Sequence, residues 1–387
     1  MPPSFHQSLA PRDFPIKTIL HTEASLGWGG QEIRLLTEAA WFADHGFDVH
    51  LAAPAHSSLA RRLDRSTVKF HPLGFSKSQQ LLDTIRLGRI IRKLKPDVIA
   101  THSSVDSWVG LLAGRVYRPR SLRIRYRHVS TPVKPRLQNR WLYRSLCHRV
   151  ITTAECTRIA LIDTLGISPD RILSIPTGLP APELPIDREA TRASLISRLN
   201  LNVDSRFIGQ VSVLRSWKGH PDLLDAFALL APAYPQHHLF LLGDGPQRER
   251  LQTLRLAHPF ASRIHFLGHL EEVGMVLPGF DVSILSSFGH EGVPQSGIQA
   301  FQYGVPFVGT RCGGIPELIG EEEQRGWLAE PSNPSALAAA IRRAFQPDQR
   351  VCAAQAYVAS HHSPETMGQK VLQAFHDAFQ TSQLSSR

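Results

Sequence analysis

The sequence predicts an α/β protein built from two doubly wound parallel-sheet domains, and three observations lead to this class. First, 387 residues are too many for one ordinary hydrophobic core and suit two. Second, short apolar runs alternate with stretches of helical period, as in parallel sheets that are covered on both faces. Third, a segment rich in proline and charge, at 176–202, separates two such series and is typical of an interdomain connection.

The first series contains seven apolar runs that we expect to form strands. Helices are expected between them, for example over 81–94 and 105–115. The first run leads into a glycine loop with Gly29 and Gly30, after which a helical pattern begins. This order favours an anion near a helix N-terminus, although the full spacing of a dinucleotide fingerprint is absent. The predicted strands are 16–21, 48–52, 68–71, 97–101, 122–126, 150–153 and 172–175.

The second series predicts five further strands, at 207–213, 238–242, 264–267, 282–285 and 305–308. Its predicted helices are 221–230, 247–256, 293–303, 335–345 and 364–379. We therefore expect an N-terminal domain over 1–178, a linker over 179–205, a C-terminal domain over 206–362 and a final helical segment over 363–387.

The most informative stretch is 281–318, in which two strand-loop-helix units follow one another. Two helix N-termini then lie at the carboxyl edge of one parallel sheet, where open α/β sheets bind ligands. Their N–H groups and dipoles favour an anion, most simply a phosphate. Glu291 and, eight residues later, Gln299 are expected to project into this site.

Three more loops of the second series fall at predicted strand ends. Arg215 and Lys218 lie three residues apart just before a helix, where a guanidinium and an ammonium could hold a diphosphate. Gly243 begins a tight Gly-Asp-Gly-Pro turn. A last loop, formed by Gly268, His269 and Leu270, offers bare backbone to the edge of a base. Each glycine could also be a simple turn former, but four such loops on one sheet edge favour a site.

Positive charge is concentrated in the first half of the chain. Residues 1–180 hold 26 lysines and arginines against 13 acidic residues, whereas the whole chain has a net charge of +10. No acidic residue occurs between Asp106 and Glu155, a segment with eleven basic ones. Such a field attracts an anionic partner, namely a phosphorylated saccharide or lipid, the inner membrane face or nucleic acid. A solvated basic face without a ligand is the alternative.

The four cysteines are Cys147, Cys156, Cys312 and Cys352, and none forms a Cys-x-x-Cys pair. This spacing favours neither a disulfide framework nor a zinc site and is typical of a reducing compartment. The first residues lack a signal-peptide pattern, and no apolar run of about 18 residues occurs. We therefore expect a cytoplasmic protein, with a peripheral contact at the cytoplasmic face of the inner membrane.

Several motifs together resemble one family. LRSWKGH, GDGPQRE, FLGHL, SSFGHEGVPQSGIQA and GTRCGGIPEL are similar to the donor-binding domain of the retaining glycosyltransferases of family 4, which have the GT-B architecture. In the first half, GWGGQEIRLLTEA resembles the family's N-terminal glycine loop, and THSSVDSW and RHVSTPV resemble its acceptor-side segments. The resemblance extends to enzymes of lipopolysaccharide and cell-surface polysaccharide assembly. It implies two Rossmann-like domains facing across a cleft, with the last helix crossing back to the first domain.

The resemblance also implies residue roles. Arg215 and Lys218 would bind the diphosphate of a nucleotide sugar, and Glu291 would contact sugar hydroxyls near the reacting carbon. His128 would lie beside the transferred sugar, while His102 and Arg127 are acceptor-side candidates. Further donor-side candidates are Gly29, Gly30, Gly243, Gly268, His269, Leu270, Gly292, Val293, Pro294 and Gln295.

One position departs from the family pattern. The second glutamate of the usual pair is Gln299 here, which keeps a hydrogen-bond acceptor for the ribose but loses the charge. Weaker donor binding, with activity retained, is the expectation. The sequence has no Asp-x-Asp, so we expect no metal and no cofactor, only a nucleotide sugar as donor. Front-face attack with retention of configuration is the mechanism that the resemblance implies.

Two other functions stay open from the sequence. A nucleotide-sugar 2-epimerase has the same architecture, but it would need an acid/base pair near C2 and no acceptor groove. A nucleic-acid-binding protein would suit the basic first half, but the sequence has no helix-turn-helix, zinc or aromatic-stacking RNA motif.

Overall fold

A computed structural model describes residues 15–63, 67–182 and 187–384, and its strands form two separate parallel sheets. The first sheet has seven strands: β1 (Thr18–Thr22), β2 (Asp48–Ala53), β3 (Lys69–Pro72), β4 (Val98–Thr101), β5 (Leu122–Arg127), β6 (Arg149–Thr152) and β7 (Ile172–Ser174). They lie in the order β3-β2-β1-β4-β5-β6-β7, and all pairs are parallel. The helices of this half are α1 (Gly30–Asp44), α2 (Ser58–Arg62), α3 (Gln80–Leu94), α4 (Ser104–Tyr117), α5 (Leu137–Trp141) and α6 (Glu155–Leu165).

The second sheet has six strands: β8 (Arg206–Val211), β9 (His237–Leu242), β10 (Ile264–Gly268), β11 (Val282–Leu285), β12 (Phe307–Thr310) and β13 (Trp327–Ala329). Their order is β10-β9-β8-β11-β12-β13, again all parallel. The remaining helices are α7 (Arg188–Leu199), α8 (His220–Leu230), α9 (Arg248–Leu256), α10 (Gln295–Gln302), α11 (Ile315–Ile319), α12 (Pro334–Ala344), α13 (Arg350–His361) and α14 (Pro364–Leu384). The predicted fold class is confirmed.

The strand order sets the position of the site. In the first sheet the order reverses between β1 and β4, and in the second between β8 and β11. At such a switch point the loops after two neighbouring strands leave towards opposite faces and open a crevice at the carboxyl ends. The loops after β8 and β11 contain the predicted Arg215–Lys218 and Glu291 positions.

Alternation along the strands of the second sheet builds two cores. Because successive side chains point to opposite faces, Phe207 and Phe240 pack into one apolar cluster while Ile208 and Leu239 pack into the other. All four side chains are fully buried. Both faces of the sheet are therefore covered, as expected for a doubly wound domain.

The sequence did not predict every element. Helix α13 and the short strand β13 were not predicted, and α7 lies inside the stretch predicted as a linker. Leu195 of α7 is buried in the same cluster as Phe207. The helix predicted over 293–303 begins only at Gln295, because Pro294 has an extended backbone at the N-cap.

The last helix, α14, packs against α1 of the first half. Phe375 stacks on Phe42 with ring centroids 5.7 Å apart, and the indole Nε1 of Trp41 donates to a Glu365 carboxylate oxygen at 2.6 Å. Met367 lies in the same buried cluster. Helix α14 therefore packs on the first half.

Two segments connect the halves, and they lie side by side. The Leu179 N–H donates to the His362 carbonyl at 2.8 Å, and the His362 ring contacts the Thr177 carbonyl at 3.1 Å. A Cβ on Gly178 would lie only 2.2 Å from the Ser363 carbonyl oxygen, so this contact needs glycine. Within the described residues, no helix has the length and hydrophobicity of a membrane span.

Candidate functional site

The predicted cation and acid of the second half meet directly. Lys218 Nζ lies 2.7 Å from Glu291 Oε1, and the two side chains are 18% and 8% exposed. The Ser287 hydroxyl also donates to Glu291 Oε1, at 2.6 Å. The pair forms because β8 and β11 are neighbours, which brings the loops after them together. It presents a cation and a carboxylate at one point of the crevice.

Arg215 lies three residues before Lys218 on the same loop, is exposed and forms no ion pair within the described residues. Its guanidinium carbon is 5.2 Å from the ring centroid of Trp217, and the Trp217 ring contacts His290 edge-on at 5.4 Å. His290 has a left-handed backbone with φ 63°, which is uncommon for a residue other than glycine. The residue before Glu291 is thus held in an unusual conformation by packing against the cation loop.

A buried amide that the sequence did not single out joins the two loops. Gln210 is fully buried, its Oε1 accepts from the Ser286 N–H at 3.0 Å, and its Nε2 donates to the Lys218 carbonyl at 2.9 Å. The Ser286 hydroxyl lies within hydrogen-bond distance of three acceptors, namely the Lys218 carbonyl, the Gly219 carbonyl and Gln210 Oε1, and its single proton can be donated to any of them. The available signal was a glutamine at the end of an otherwise apolar strand, because a buried amide needs partners for every polar atom.

Gly219 allows this close approach. Its φ is +65°, and a Cβ there would lie 1.8 Å from the Ser286 carbonyl oxygen. Only glycine combines that backbone conformation with that contact. Gly219 is also the N-cap of α8. The need for glycine at this position therefore places the first turn of α8 directly after Lys218.

The loop after β12 supports Glu291 from the other side. The Gly314 N–H donates to the Glu291 carbonyl at 3.2 Å, and the Thr310 hydroxyl donates to the Ser287 carbonyl. Burial, together with the Glu291 charge, raises the pKa of the Cys312 thiol to about 11. Cys312 is therefore an uncharged neighbour of the carboxylate.

Other predicted donor-side residues form the contact between the halves. Gln295 Nε2 donates to the Gly30 carbonyl at 2.6 Å, and the Val293 N–H lies 3.4 Å from the Thr153 carbonyl. A Cβ on Gly292 would lie 2.5 Å from the Thr153 hydroxyl and 3.3 Å from the His128 carbonyl oxygen. The loop of Glu291 thus touches the predicted acceptor side.

The remaining candidates lie at the same sheet edge but do not contact the Lys218–Glu291 pair. The Gly243 N–H donates to the Gly268 carbonyl at 2.7 Å, which joins the ends of β9 and β10. His269 is exposed, Leu270 packs against the second-half core, and Gln299 is half-buried on α10. The Gln299 side chain makes no hydrogen bond within the described residues.

In the first half, three histidine rings form a chain at the carboxyl ends of β1, β4 and β5. His21 Nδ1 lies 3.0 Å from His102 Nε2, and His102 Nδ1 lies 3.0 Å from His128 Nε2. His102 also stacks on Tyr126, with ring centroids 4.4 Å apart. Burial lowers the pKa of His102 and of His128 well below the usual value and that of His21 to about 4. The three rings are therefore neutral near pH 7.

Because each neutral ring has one N–H, the tautomers of this chain are linked. His128 Nδ1 is buried without a hydrogen-bond partner in the described structure. It is a donor or an acceptor according to which way the shared protons point. His21 was not singled out from the sequence, since a lone histidine in an apolar strand carries no signal until its neighbours are known.

Two buried carboxyl groups lie near the glycine loop. Glu23 accepts from the Ser25 N–H at 2.8 Å and from Gln31 Nε2 at 2.5 Å. Burial, with the charges of Asp106 and Glu32, raises the pKa of Glu23 to about 8. Asp106 accepts from the Thr22 hydroxyl and the His102 N–H, both at 2.9 Å. Asp106 thereby connects the end of β1, which carries His21, to the end of β4, which His102 follows.

Glu317 forms a further contact between the halves that the sequence did not predict. The Glu317 carboxylate accepts from the N–H groups of Glu155 and Cys156 at 2.8 and 2.9 Å. These are the first N–H groups of α6, which have no partner inside the helix. A negative charge at this helix end is also favoured by the dipole. A residue of one half therefore caps a helix of the other.

Two doubly wound parallel sheets, whose glycine loops meet at one crevice, form the GT-B architecture. Residues 28–181 match the Glycosyltransferase Family 4 model, and residues 191–375 match the Glycosyl transferases group 1 model. The chain therefore belongs to these glycosyltransferases, which confirms the resemblance that its motifs indicated.

Among curated relatives, an uncharacterized glycosyltransferase of Haemophilus influenzae is 30% identical over 132 residues, which cover 34% of this chain and 37% of that protein. The lipopolysaccharide core biosynthesis glycosyltransferase LpsE of Rhizobium meliloti is 26% identical over 147 residues, covering 38% of this chain and 42% of the relative. These matches span less than half the length of either relative.

Solved structures share the fold over nearly the whole chain. A glycosyltransferase from Rickettsia africae superposes with a TM-score of 0.82 at 20% identity, covering 94% of this chain and 99% of that one. Anabaena HepE in complex with UDP-glucose gives a TM-score of 0.78 at 21% identity, covering 92% and 98%.

Proposed function

We propose that this enzyme moves a sugar from a nucleoside-diphosphate sugar to an acceptor hydroxyl with retention of configuration, in lipopolysaccharide or surface polysaccharide assembly. The observation that carries the proposal is the Lys218–Glu291 pair at the crevice, with the further cation Arg215 on the same loop as Lys218. Support comes from the solved complex of HepE with UDP-glucose and from the lipopolysaccharide role of LpsE.

In this proposal, the donor diphosphate lies against Lys218, Arg215 and the N-terminus of α8. Breaking the bond from C1 to the diphosphate oxygen leaves negative charge on the leaving group. Cations that are already in position stabilise that charge without reorganising, which is worth about 10²–10³ in rate for a single donor. Glu291, held by Lys218 and Ser287, would accept hydrogen bonds from sugar hydroxyls.

The acceptor would approach from the first half. His128 would bond the donor sugar through Nδ1, since that atom has no protein partner in the described structure. Because its pKa is lowered, we propose a positioning role through a neutral ring. The acceptor oxygen would attack C1 from the face that the diphosphate leaves, and a diphosphate oxygen would take the hydroxyl proton.

We propose that no metal ion is required, because Lys218, Arg215 and the helix ends supply positive charge where the leaving group forms. Gln299 would reach the ribose from α10 and bind it less tightly than a glutamate would. Gln299→Glu should then tighten nucleotide binding, measured by calorimetry, and unchanged affinity would remove Gln299 from the donor site.

The proposed acceptor is an anionic glycan or glycolipid at the cytoplasmic face of the inner membrane. The excess of basic residues in the first half supports this choice. Equal use of neutral oligosaccharides, with indifference to anionic vesicles, would contradict it.

The experiment that tests the function is incubation of the full chain with a panel of nucleotide sugars, followed by measurement of released nucleoside diphosphate. Released diphosphate that depends on both Lys218 and Arg215 is the expected result. Arg342→Met, which removes a cation from α12, is the matched control and should behave like the wild type. Nuclear magnetic resonance of the product reports its anomeric configuration, and an inverted product would refute retention.

A further inference from the structure

A second basic site lies in the first half, outside the residues used above for the donor. A cavity of about 220 Å³ opens beside the ends of β4 and β5, and four cations line it: Arg125, Arg127, Lys134 and Arg136. No carboxylate lines the cavity, and none of the four cations forms an ion pair within the described residues. Four like charges around one small space repel each other unless an anion lies between them.

Two of the three arginines on β5, Arg125 and Arg127, line the cavity, and the protein satisfies their guanidinium groups only in part, since Arg127 Nη2 donates to the Thr131 carbonyl. Arg125 is only 3% exposed, and the one hydrogen bond of its side chain within the described chain is a long contact of 3.4 Å from Nη1 to the Thr101 carbonyl. The Nε groups of Arg125 and Arg127 are buried without partners there. Burial, with the neighbouring Arg125 charge, lowers the pKa of Arg127 although the Tyr143 charge opposes this. A buried, unpaired guanidinium is costly, so an external acceptor would relieve that cost.

Asp106 interacts electrostatically with Arg125, but its oxygens already have other hydrogen-bond donors. They accept from Thr22, His102 and Ser103, and Asp106 makes no hydrogen bond to the cavity cations within the described residues. The neutral lining residues Ser104, Gln138 and Asn139 add further donors. Fork-shaped guanidinium groups, a lysine and neutral donors together suit a phosphoryl group, which has several acceptor oxygens.

The cavity also lies close to the contact between the halves. Arg127 immediately precedes His128, whose carbonyl accepts from the Thr153 hydroxyl at 3.2 Å. A Cβ on Gly292, the residue after Glu291, would lie 3.3 Å from that same carbonyl oxygen. An anion in the cavity would therefore contact the residue that precedes this point of contact between the halves.

We propose that this cavity binds a phosphoryl group of the acceptor, an assignment that rests on the proposed transferase function. The group would be the phosphate ester of a soluble saccharide or the phosphate of a lipid headgroup. Arg125 and Arg127 form its buried end, and Lys134 and Arg136, which are exposed, form its mouth.

The test is calorimetric titration of the full chain with inorganic phosphate, with UDP present to fill the donor site. The variant is Lys134→Gln with Arg136→Gln, which removes two exposed cations from the mouth. The matched control is Arg120→Gln with Arg140→Gln, which removes two exposed cations of the same half that do not line the cavity. Phosphate should bind the first variant about tenfold more weakly or worse, which corresponds to losing one charge-assisted hydrogen bond. The control should match the wild type.

A second variant tests the buried end. Arg125→Lys keeps the charge but loses the fork of donors, and it should weaken phosphate binding while thermal melting verifies that the chain is folded. Equal phosphate affinity in the wild type and in both cavity variants would overturn the proposal, as would an equal loss in the cavity double variant and its control.

Two further arms distinguish the source of the phosphate. Binding of a hexose phosphate that depends on Lys134 and Arg136 assigns a soluble ester. Co-sedimentation with vesicles of phosphatidylcholine and phosphatidylglycerol, with the same dependence, assigns a lipid headgroup. Cavity-dependent phosphate binding without consumption of any nucleotide sugar would refute the proposed function and leave the site standing. Sugar transfer with no difference between the two double variants would refute only the site.

Discussion

Replacement of Lys218 by methionine is expected to lower the free energy of unfolding by about 3 kcal/mol, besides removing donor turnover. The variant leaves the Glu291 carboxylate 8% exposed and without its cation. The stem of methionine fills much of the same space as lysine, so the change is mainly electrostatic. The destabilisation should therefore measure the cost of an unpaired, nearly buried charge.

The magnitude follows from the geometry of the pair. At 2.7 Å, two unit charges attract by about 6 kcal/mol when the effective dielectric constant is about 20. Part of this attraction is offset by the desolvation of both groups, and breaking one partner of a buried pair typically costs about 3–5 kcal/mol. The low end applies because the Ser287 hydroxyl still donates to Glu291 and Lys218 is 18% exposed.

Urea unfolding at pH 7, followed by circular dichroism, measures the change. Arg215→Met is the matched control, since Arg215 is an exposed cation of the same loop and its loss should cost less than about 0.5 kcal/mol. Adding Glu291→Gln to Lys218→Met should recover most of the lost stability. Equal stability of the Lys218 and Arg215 variants would refute the reasoning.

Three further outcomes are expected. The pKa of Glu23 is raised to about 8, so the unfolded chain loses this proton at a lower pH than the native protein does, and the free energy of unfolding falls as pH rises from about 4.5 to 8. In urea unfolding, the decrease between pH 5 and 8 should be about 3 kcal/mol smaller for Glu23→Gln than for the wild type. The lowered pKa of His102 has the opposite sign, because the unfolded ring gains a proton below about pH 6.5 that the native ring does not. When pH is lowered from 7 to 5, the free energy of unfolding should therefore decrease by about 2 kcal/mol less in His102→Phe than in the wild type. Phe375→Ala should cost about 3–5 kcal/mol by leaving a cavity against Phe42, and a change below about 1 kcal/mol in the same assay would contradict the packing described for α14.

The parts of the site that the sequence predicted are those that depend on strand adjacency. Lys218 and Glu291 could be expected to meet, since both follow apolar strands of one parallel sheet and carboxyl ends share an edge. The local signal was enough because glycine and proline mark where each strand ends. The twofold pattern of strand, loop and helix likewise predicted the class of each half.

Other contacts could not be predicted because they join residues that carry no pattern of their own. Gln210 and Ser286 are 76 positions apart, and Gln295 meets Gly30 across 265 positions. Whether these residues meet depends on the relative orientation of the loops and of the two halves, and the periodicity of apolar residues in the sequence contains no information on that orientation. Helix α7 escaped prediction because it lies in a stretch rich in proline and charge that favoured a linker, and Leu195 is its only buried side chain.

The two connections between the halves restrict how the enzyme can move. Thr177 and Leu179 of one connection bond to His362 of the other, so both crossings lie along one line. Two connections on a common line form a hinge: the halves can rotate about that line, and rotation about other axes is resisted. Such an opening would first separate the contacts farthest from the connections, and closing would restore the hydrogen bond from Gln295 to the Gly30 carbonyl.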